Sequence, residues 1–206
     1  MKKIFILNLF IFLLSATLAF SQNKILLLNG KTKEVKSYEL KGDWLYYIKI
    51  DDKKEKNRKL DRYNVFSVTK PDGLEEVIYD PDTAMEGDPS IEQVRRYIKG
   101  EQYGMAVYKT TYIKFESELV GFGSGLLTFY GPAVVFVNSL VIGSFNPKHI
   151  PPTALIEPEV FNTEEFKAGY NKYARNKKIK DSLIFGGVGF AVGFAFFSLI
   201  SDAAFD

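Results

Sequence analysis

Beyond the amino-terminal segment, two long stretches of this chain carry no charged residue, Leu119 to Pro147 and Ser182 to Ser201. A charge-free run of about 20 residues, at about 1.5 Å per helical residue, matches the roughly 30 Å hydrocarbon core of a bilayer. The second stretch therefore reads as a single membrane span. The first, at roughly 40 Å as one helix, overshoots that thickness and must tilt, bend or fold back. Gly131-Pro132 lies in its middle. Proline removes a backbone donor and crowds the preceding turn, so a kink or a helical hairpin is expected there.

Both stretches are rich in glycine, with small residues four apart. They are Gly121 and Gly125 in Gly121-Phe122-Gly123-Ser124-Gly125, and Gly189 and Gly193 after Gly186-Gly187-Val188. In lipid there is little hydrophobic drive between helices, and close backbone approach through glycine faces supplies van der Waals contact instead. Gly121, Gly125, Gly189 and Gly193 are therefore the expected helix-packing residues. The competing reading is glycine content with no specific partner.

The amino terminus has the three parts of a secretory signal peptide. Met1-Lys2-Lys3 is positive, Ile4 to Leu14 is apolar apart from Asn8, and Ala19 and Ser21 are placed for cleavage before Gln22. An uncleaved anchor helix is the alternative. Either version puts the chain from residue 23 outside the cytoplasm, because Lys2 and Lys3 stay inside.

Residues 22–80 read as a small β domain. Lys24 to Leu28 is followed by Asn29-Gly30, a hairpin signal in which both residues tolerate positive φ. Glu34 to Leu40 is the return strand and Lys41-Gly42-Asp43 the next turn. Trp44 to Ile50 alternates, with Trp44, Tyr46, Ile48 and Ile50 on one side and Leu45, Tyr47 and Lys49 on the other. Asp51 to Lys59 is a mixed-charge run suited to a solvated hairpin tip. Arg58 to Leu60, Val65 to Val68 and Leu74 to Tyr79 complete the set, the last two joined by the Pro71-Asp72-Gly73 turn. The expected fold is α+β: a strongly bent antiparallel sheet or barrel of SH3-like or Sm-like size, then a helical, glycine-rich membrane hairpin.

Residues 81–89 form an acidic linker whose spacing does not fit an EF-hand loop. Residues 90–202 form the helical membrane region. Ser90 and Gln93 make a capping box. Tyr108, Tyr112, Phe115 and Leu119 continue as an aromatic stripe, either headgroup-level tyrosines or ordinary core packing. In the intervening basic loop, 148–181, Thr163-Glu164-Glu165-Phe166 starts a helix with acids at its positive end. Phe166, Tyr170 and Tyr173 share a face there. It reads either as an amphipathic helix on the inner leaflet or as one packed on protein.

Basic residues set the sidedness. The loop carries Lys148, Lys167, Lys172, Arg175, Lys177, Lys178 and Lys180, whereas the tail after 201 carries none. Basic excess marks the cytoplasmic side, so charge favours the β domain outside, the loop inside and the tail outside. If 119–147 folds back to its own side, loop and tail exchange sides.

Chemistry-bearing motifs are missing. The chain has no cysteine and one histidine, His149, among prolines. It lacks a nucleophile elbow, a P-loop and HExxH, and Glu116 and Glu118 sit on different helix faces. Neither an enzyme, a metal nor a cofactor is expected. A net charge of +2 gives no reason to expect nucleic acid. The expected partners are the lipid bilayer and a second copy or another envelope protein. The function that follows is a membrane-anchored binding or assembly module, the alternative being an oligomeric transport or pore component.

Two stretches look related to each other. Tyr97-Ile98-Lys99-Gly100 and Phe166-Lys167-Ala168-Gly169-Tyr170 each precede a basic, tyrosine-containing helix and then glycine-rich apolar sequence, as a divergent duplication would. The layout also resembles uncharacterised exported envelope proteins of Bacteroidetes-type bacteria. The shared motifs are Leu28, Asn29, Gly30, Lys31; Val65, Ser67, Val68; Asp72, Gly73, Glu75 or Glu76, Tyr79; and Tyr97, Ile98, Gly100, Glu101. That resemblance implies an envelope location and no activity; the signal peptide and the basic-residue bias add the expected inner-membrane placement with the β domain on the periplasmic side.

Overall fold

A computed structural model describes residues 22–50, 56–81, 88–147, 149–152 and 156–205. The signal-peptide reading lies outside those residues, as do 51–55 of the charged tip and 82–87 of the acidic linker. The chain forms two compact units, divided between Val94 and Arg95.

The first unit is an open six-stranded antiparallel sheet. Its strands are β1 (Asn23–Leu27), β2 (Thr32–Lys41), β3 (Trp44–Lys49), β4 (Asn57–Asp61), β5 (Val65–Thr69) and β6 (Glu75–Val77). Their order is β4-β3-β2-β1-β5-β6, leaving β4 and β6 as edges. All six lie where alternation and turn residues place them. The barrel reading is corrected, because among the described residues no ladder closes β4 onto β6. The sheet still curls, helped by register shifts at Leu26/Leu27 and Val35/Ser37 that add local twist. Tyr38 of β2 reaches Glu76 of β6 with a 2.9 Å hydrogen bond across the two strands between them.

One face carries the core of Ile25, Leu27, Val35, Leu45, Tyr47, Val65, Val68 and Ile78. In β3 the buried set is Leu45 and Tyr47, while Trp44 stays exposed beneath the Lys59 ammonium, 4.0 Å from its ring centroid. Two hairpins share one turn design. Gly30 and Gly73 take positive φ, and each donates its N–H to the residue three back, Leu27 and Lys70. Asn29 and Asp72 accept from the N–H two residues on. Only the glycine needs the left-handed region, so Asn29-Gly30 is a type I turn closed by glycine and not the two-residue turn its sequence suggests.

The helices are α1 (Ile91–Val107), α2 (Thr111–Gly125), α3 (Gly131–Ser144), the single turn α4 (Pro158–Phe161) and α5 (Glu164–Phe205). The capping box forms as read: Ser90 N–H donates to Gln93 Oε1, and Gln93 N–H to Ser90 Oγ. The 119–147 stretch is not one span. It breaks after Gly125, passes through a 3-10 turn at Thr128–Tyr130 and restarts with Pro132 in the first helical turn, where its missing N–H costs nothing. The basic loop is not a separate surface helix either. Most of it is the amino-terminal half of α5, which continues unbroken into the second apolar stretch.

Candidate functional site

The second unit is assembled on glycine. A Cβ at Gly100 would lie 2.0 Å from the Phe166 carbonyl oxygen and 3.0 Å from Tyr170 N, and one at Gly169 would lie 2.0 Å from the Tyr97 oxygen and 3.1 Å from Glu101 N. The same exchange recurs lower down. A Cβ at Gly121 would lie 2.1 Å from Gly186 O and 2.9 Å from Phe190 N, and one at Gly189 would lie 2.1 Å from Glu118 O and 2.9 Å from Phe122 N. Gly125 and Gly193 repeat it against Phe190 and Phe122. Each glycine thus rests on the residue three before its counterpart and, for all but Gly193, also on the residue one after it. Contacts advance together along both helices of each pair, so α1 and α2 run parallel to α5. The two segments suspected of duplication meet across a reciprocal seam.

The third helix runs the other way. Gly131 packs on the Phe190 ring, Val135 on Gly186, and Gly143 on Ile179. With α2 parallel and α3 antiparallel to α5, residues 119–147 are a helical hairpin. The charge-favoured single pass of this stretch is therefore corrected.

Small residues fill the inside of this bundle. The buried positions are Ser117, Gly121, Ser124 and Gly125 in α2, and Gly131, Val135, Ser139 and Gly143 in α3. Large apolar side chains face outward: Leu119, Phe136, Val137, Leu140, Val141, Val188, Val192 and Phe194 are all exposed. Folding in water drives large apolar groups inward, so this arrangement is inverted relative to an aqueous core. Buried hydroxyls find partners locally. Ser117 Oγ donates to Ser182 Oγ at 2.8 Å, while Ser124 and Ser139 bond the carbonyls of Gly121 and Phe136.

Above the apolar zone lies a polar collar on α5. Lys177 Nζ donates to Tyr108 O at 2.7 Å, just past the end of α1, and Lys178 Nζ donates to Phe145 O, just past the end of α3. A helix carboxyl end carries unpaired carbonyls and partial negative charge, which an ammonium satisfies. Asp181 accepts from Thr110 Oγ1 at the start of α2, and Lys114 Nζ is 3.8 Å away. Burial pushes the Lys178 ammonium below its usual pKa. Lys172 is held above its own, first by a hydrogen bond with Tyr97 and then, against desolvation, by the charge of Glu101 at 3.6 Å.

Further along α1 and α5 is an aromatic cluster. Phe166 and Tyr170 are fully buried, and Tyr103 lies 5.8 and 6.0 Å from their ring centroids. Phe161 of α4 and Tyr108 complete it. Desolvation, with neighbouring tyrosines, raises the Tyr170 pKa to about 12. The aromatic face of this segment therefore packs on protein and not on a leaflet.

All four glycines singled out from the sequence, Gly121, Gly125, Gly189 and Gly193, lie on the seam, whereas Gly123 and Gly187 face open space. Sequence reasoning missed Gly100, Gly169, Gly131 and Gly143 as packing positions, together with Ser117, Ser139 and Ser182. A four-residue stripe could have found several of them: 117, 121, 125 in α2 and 131, 135, 139, 143 in α3. His149 is exposed, and among the described residues no cluster of three or more potential ligands could hold a metal. In the sheet unit an open groove of about 580 Å³ runs past Tyr38, Lys41, Tyr46 and Asn57.

Fold and site together define an α+β protein: an open antiparallel sheet, then helices of which α5 is long and apolar enough to cross a membrane, with mean hydropathy 2.2 in its most apolar window. Compared with known proteins, the chain matches no family model, no curated protein and no solved structure.

Proposed function

We propose that this is a membrane-anchored protein of the bacterial cell envelope, in which the glycine-packed bundle is the anchor and the sheet unit is a binding or assembly module. One observation carries the reading. Glycine and serine fill the interior of the bundle while phenylalanine, valine and leucine cover its outside. Only 17 % of the most apolar window of α5 is buried. That distribution is favourable where the surroundings are as apolar as the outer face. In water it would leave an apolar surface far larger than soluble monomers tolerate.

Sidedness follows from the order of events during export. A signal peptide delivers the chain outward first, and the earliest topogenic segment usually dominates. The sheet unit then stays in the periplasm and α5 acts as the stop, in the inner membrane. The collar lysines share the periplasmic side with the sheet, against the basic-excess preference. The resemblance of its short motifs to exported Bacteroidetes-type envelope proteins implies the same location. The partners are the bilayer and an envelope protein or second copy held by the sheet unit. The pore alternative draws less support from the bundle, because the seam glycines Gly121, Gly125, Gly189 and Gly193 are consumed by packing within one chain, although Gly123 and Gly187 stay open.

Membrane fractionation followed by protease treatment of spheroplasts tests this reading. The protein is expected in the inner-membrane fraction, with the sheet unit digested from outside and α5 protected. Recovery in the soluble fraction, or a sheet unit protected until the membrane is broken, contradicts it.

A further inference from the structure

We propose that the α2–α3 hairpin enters the bilayer and returns without crossing it, so that α5 alone completes a span and the hairpin tip is covered by lipid acyl chains. This rests on the membrane reading above and goes beyond it, because a bundle of three full spans would satisfy that reading equally well.

Length comes first. The uncharged part of α2, Leu119 to Gly125, amounts to about 10 Å of helix, and the 14 residues of α3 to about 21 Å. Neither covers a hydrocarbon core of about 30 Å. Between Asp181 and Asp202, α5 has 20 uncharged residues, about 30 Å, which matches it.

Register gives the same answer independently. The open end of the hairpin lies beside the collar, where Lys178 bonds Phe145 O and Asp181 bonds Thr110. Its closed end lies beside Phe190 and Phe194, the residues that Gly125 and Gly131 touch. From Asp181 to Phe194 is 13 residues, about 20 Å, or two-thirds of the core. Beyond that level α5 goes on as helix to Phe205, with Phe196, Phe197, Leu199 and Ile200 exposed.

The tip is built for an anhydrous setting. Leu126, Leu127, Phe129 and Tyr130 are all exposed, and no charge lies within the turn. A turn emerging into water would gain nothing from that composition. Unpaired backbone groups are costly in hydrocarbon. Here Leu127 N–H donates to Ser124 O, Tyr130 N–H to Leu127 O and Gly131 N–H to Thr128 O, while Pro132 has no N–H to satisfy. The result is a wedge, with three helices where the chain enters the bilayer and one where it leaves.

The natural absence of cysteine makes the test direct. Single-cysteine variants T128C and F129C at the tip, H149C on the collar side, and a cysteine appended after residue 206 are reconstituted in phosphatidylcholine vesicles. A membrane-impermeant maleimide is supplied from one side or the other. The proposal predicts that H149C and the appended cysteine label from opposite sides. It also predicts that both tip variants stay at least tenfold slower than either from both sides, until detergent is added. Tip labelling from the side of the appended cysteine means a crossing hairpin and overturns the proposal. Rapid labelling of every site without detergent means that no bilayer protects the chain, which overturns the membrane reading itself. Two neighbouring tip positions guard against one variant failing to fold.

Discussion

Gly189→Ala tests the seam with the sign of its effect. The new methyl would lie 2.1 Å from Glu118 O, a backbone atom fixed within α2. Ordinary contact begins at 3.4 Å, so α2 and α5 must separate locally by about 1.3 Å (3.4 − 2.1). Overpacking of this kind typically costs about 1–3 kcal/mol. Gly187 is two residues away on the same helix with nothing within 4 Å of its would-be Cβ. There alanine only relieves the backbone entropy of a helical glycine, worth about 0.5–1 kcal/mol of added stability. Gly121→Ala and Gly123→Ala repeat the contrast on α2, where the first meets Gly186 O at 2.1 Å and the second meets nothing. The assay is unfolding of the purified chain in mild-detergent micelles by SDS titration, followed by far-UV circular dichroism. Gly189→Ala and Gly121→Ala are expected to unfold at lower SDS fraction, and Gly187→Ala and Gly123→Ala at equal or higher. Shifts in the same direction for all four would refute the argument, since the seam would then be no tighter than the outer face.

Other consequences follow from the same structure. Lys177→Met removes the ammonium bonded to Tyr108 O while keeping most of the aliphatic stem, and should cost about 1–2 kcal/mol in the same titration. A double-mutant cycle on Ser117→Ala and Ser182→Ala should return a coupling of about 0.6–1.7 kcal/mol, and zero coupling would remove that bond from the account. In the sheet unit, Leu45→Ala truncates a fully buried side chain and should destabilise that unit by about 2–5 kcal/mol, whereas Leu40→Ala, at an exposed position, should stay within about 0.5 kcal/mol. Burial, and then the Glu76 hydrogen bond, raise Tyr38 from 10.0 to about 12. Its stabilisation is therefore intact below pH 10 and lost as pH climbs through about 12, so alkaline titration should weaken the natural chain relative to Tyr38→Phe in that window.

The strands were legible because their information is local. Alternation in 44–50 and the glycine of each turn are properties of a few consecutive residues, and β3 and the Gly30 and Gly73 hairpins stand where those residues dictate. Closure was not legible. Whether β4 meets β6 depends on twist accumulated at the bulges near Leu26 and Val35, which no short pattern encodes. The seam glycines at 121, 125, 189 and 193 could be named from their spacing, yet spacing does not say which residue faces which. The reciprocal pairing of Gly100 with Gly169 emerges only when segments about 70 residues apart lie side by side. The fold-back was hidden for another reason. Basic-residue bias counts charge on the two flanks of a segment, and a hairpin has both flanks on one side. The collar joins Tyr108, Phe145 and α5 through main-chain carbonyls, and these are invisible in a side-chain pattern.

The account stands on an outer surface of large apolar side chains being solvated by lipid. Washing membranes that contain the protein with alkaline carbonate, then with detergent, tests it most directly. The chain should remain in the carbonate pellet and be released only by detergent. Its appearance in the carbonate supernatant as a stable monomer, without detergent, would contradict the account.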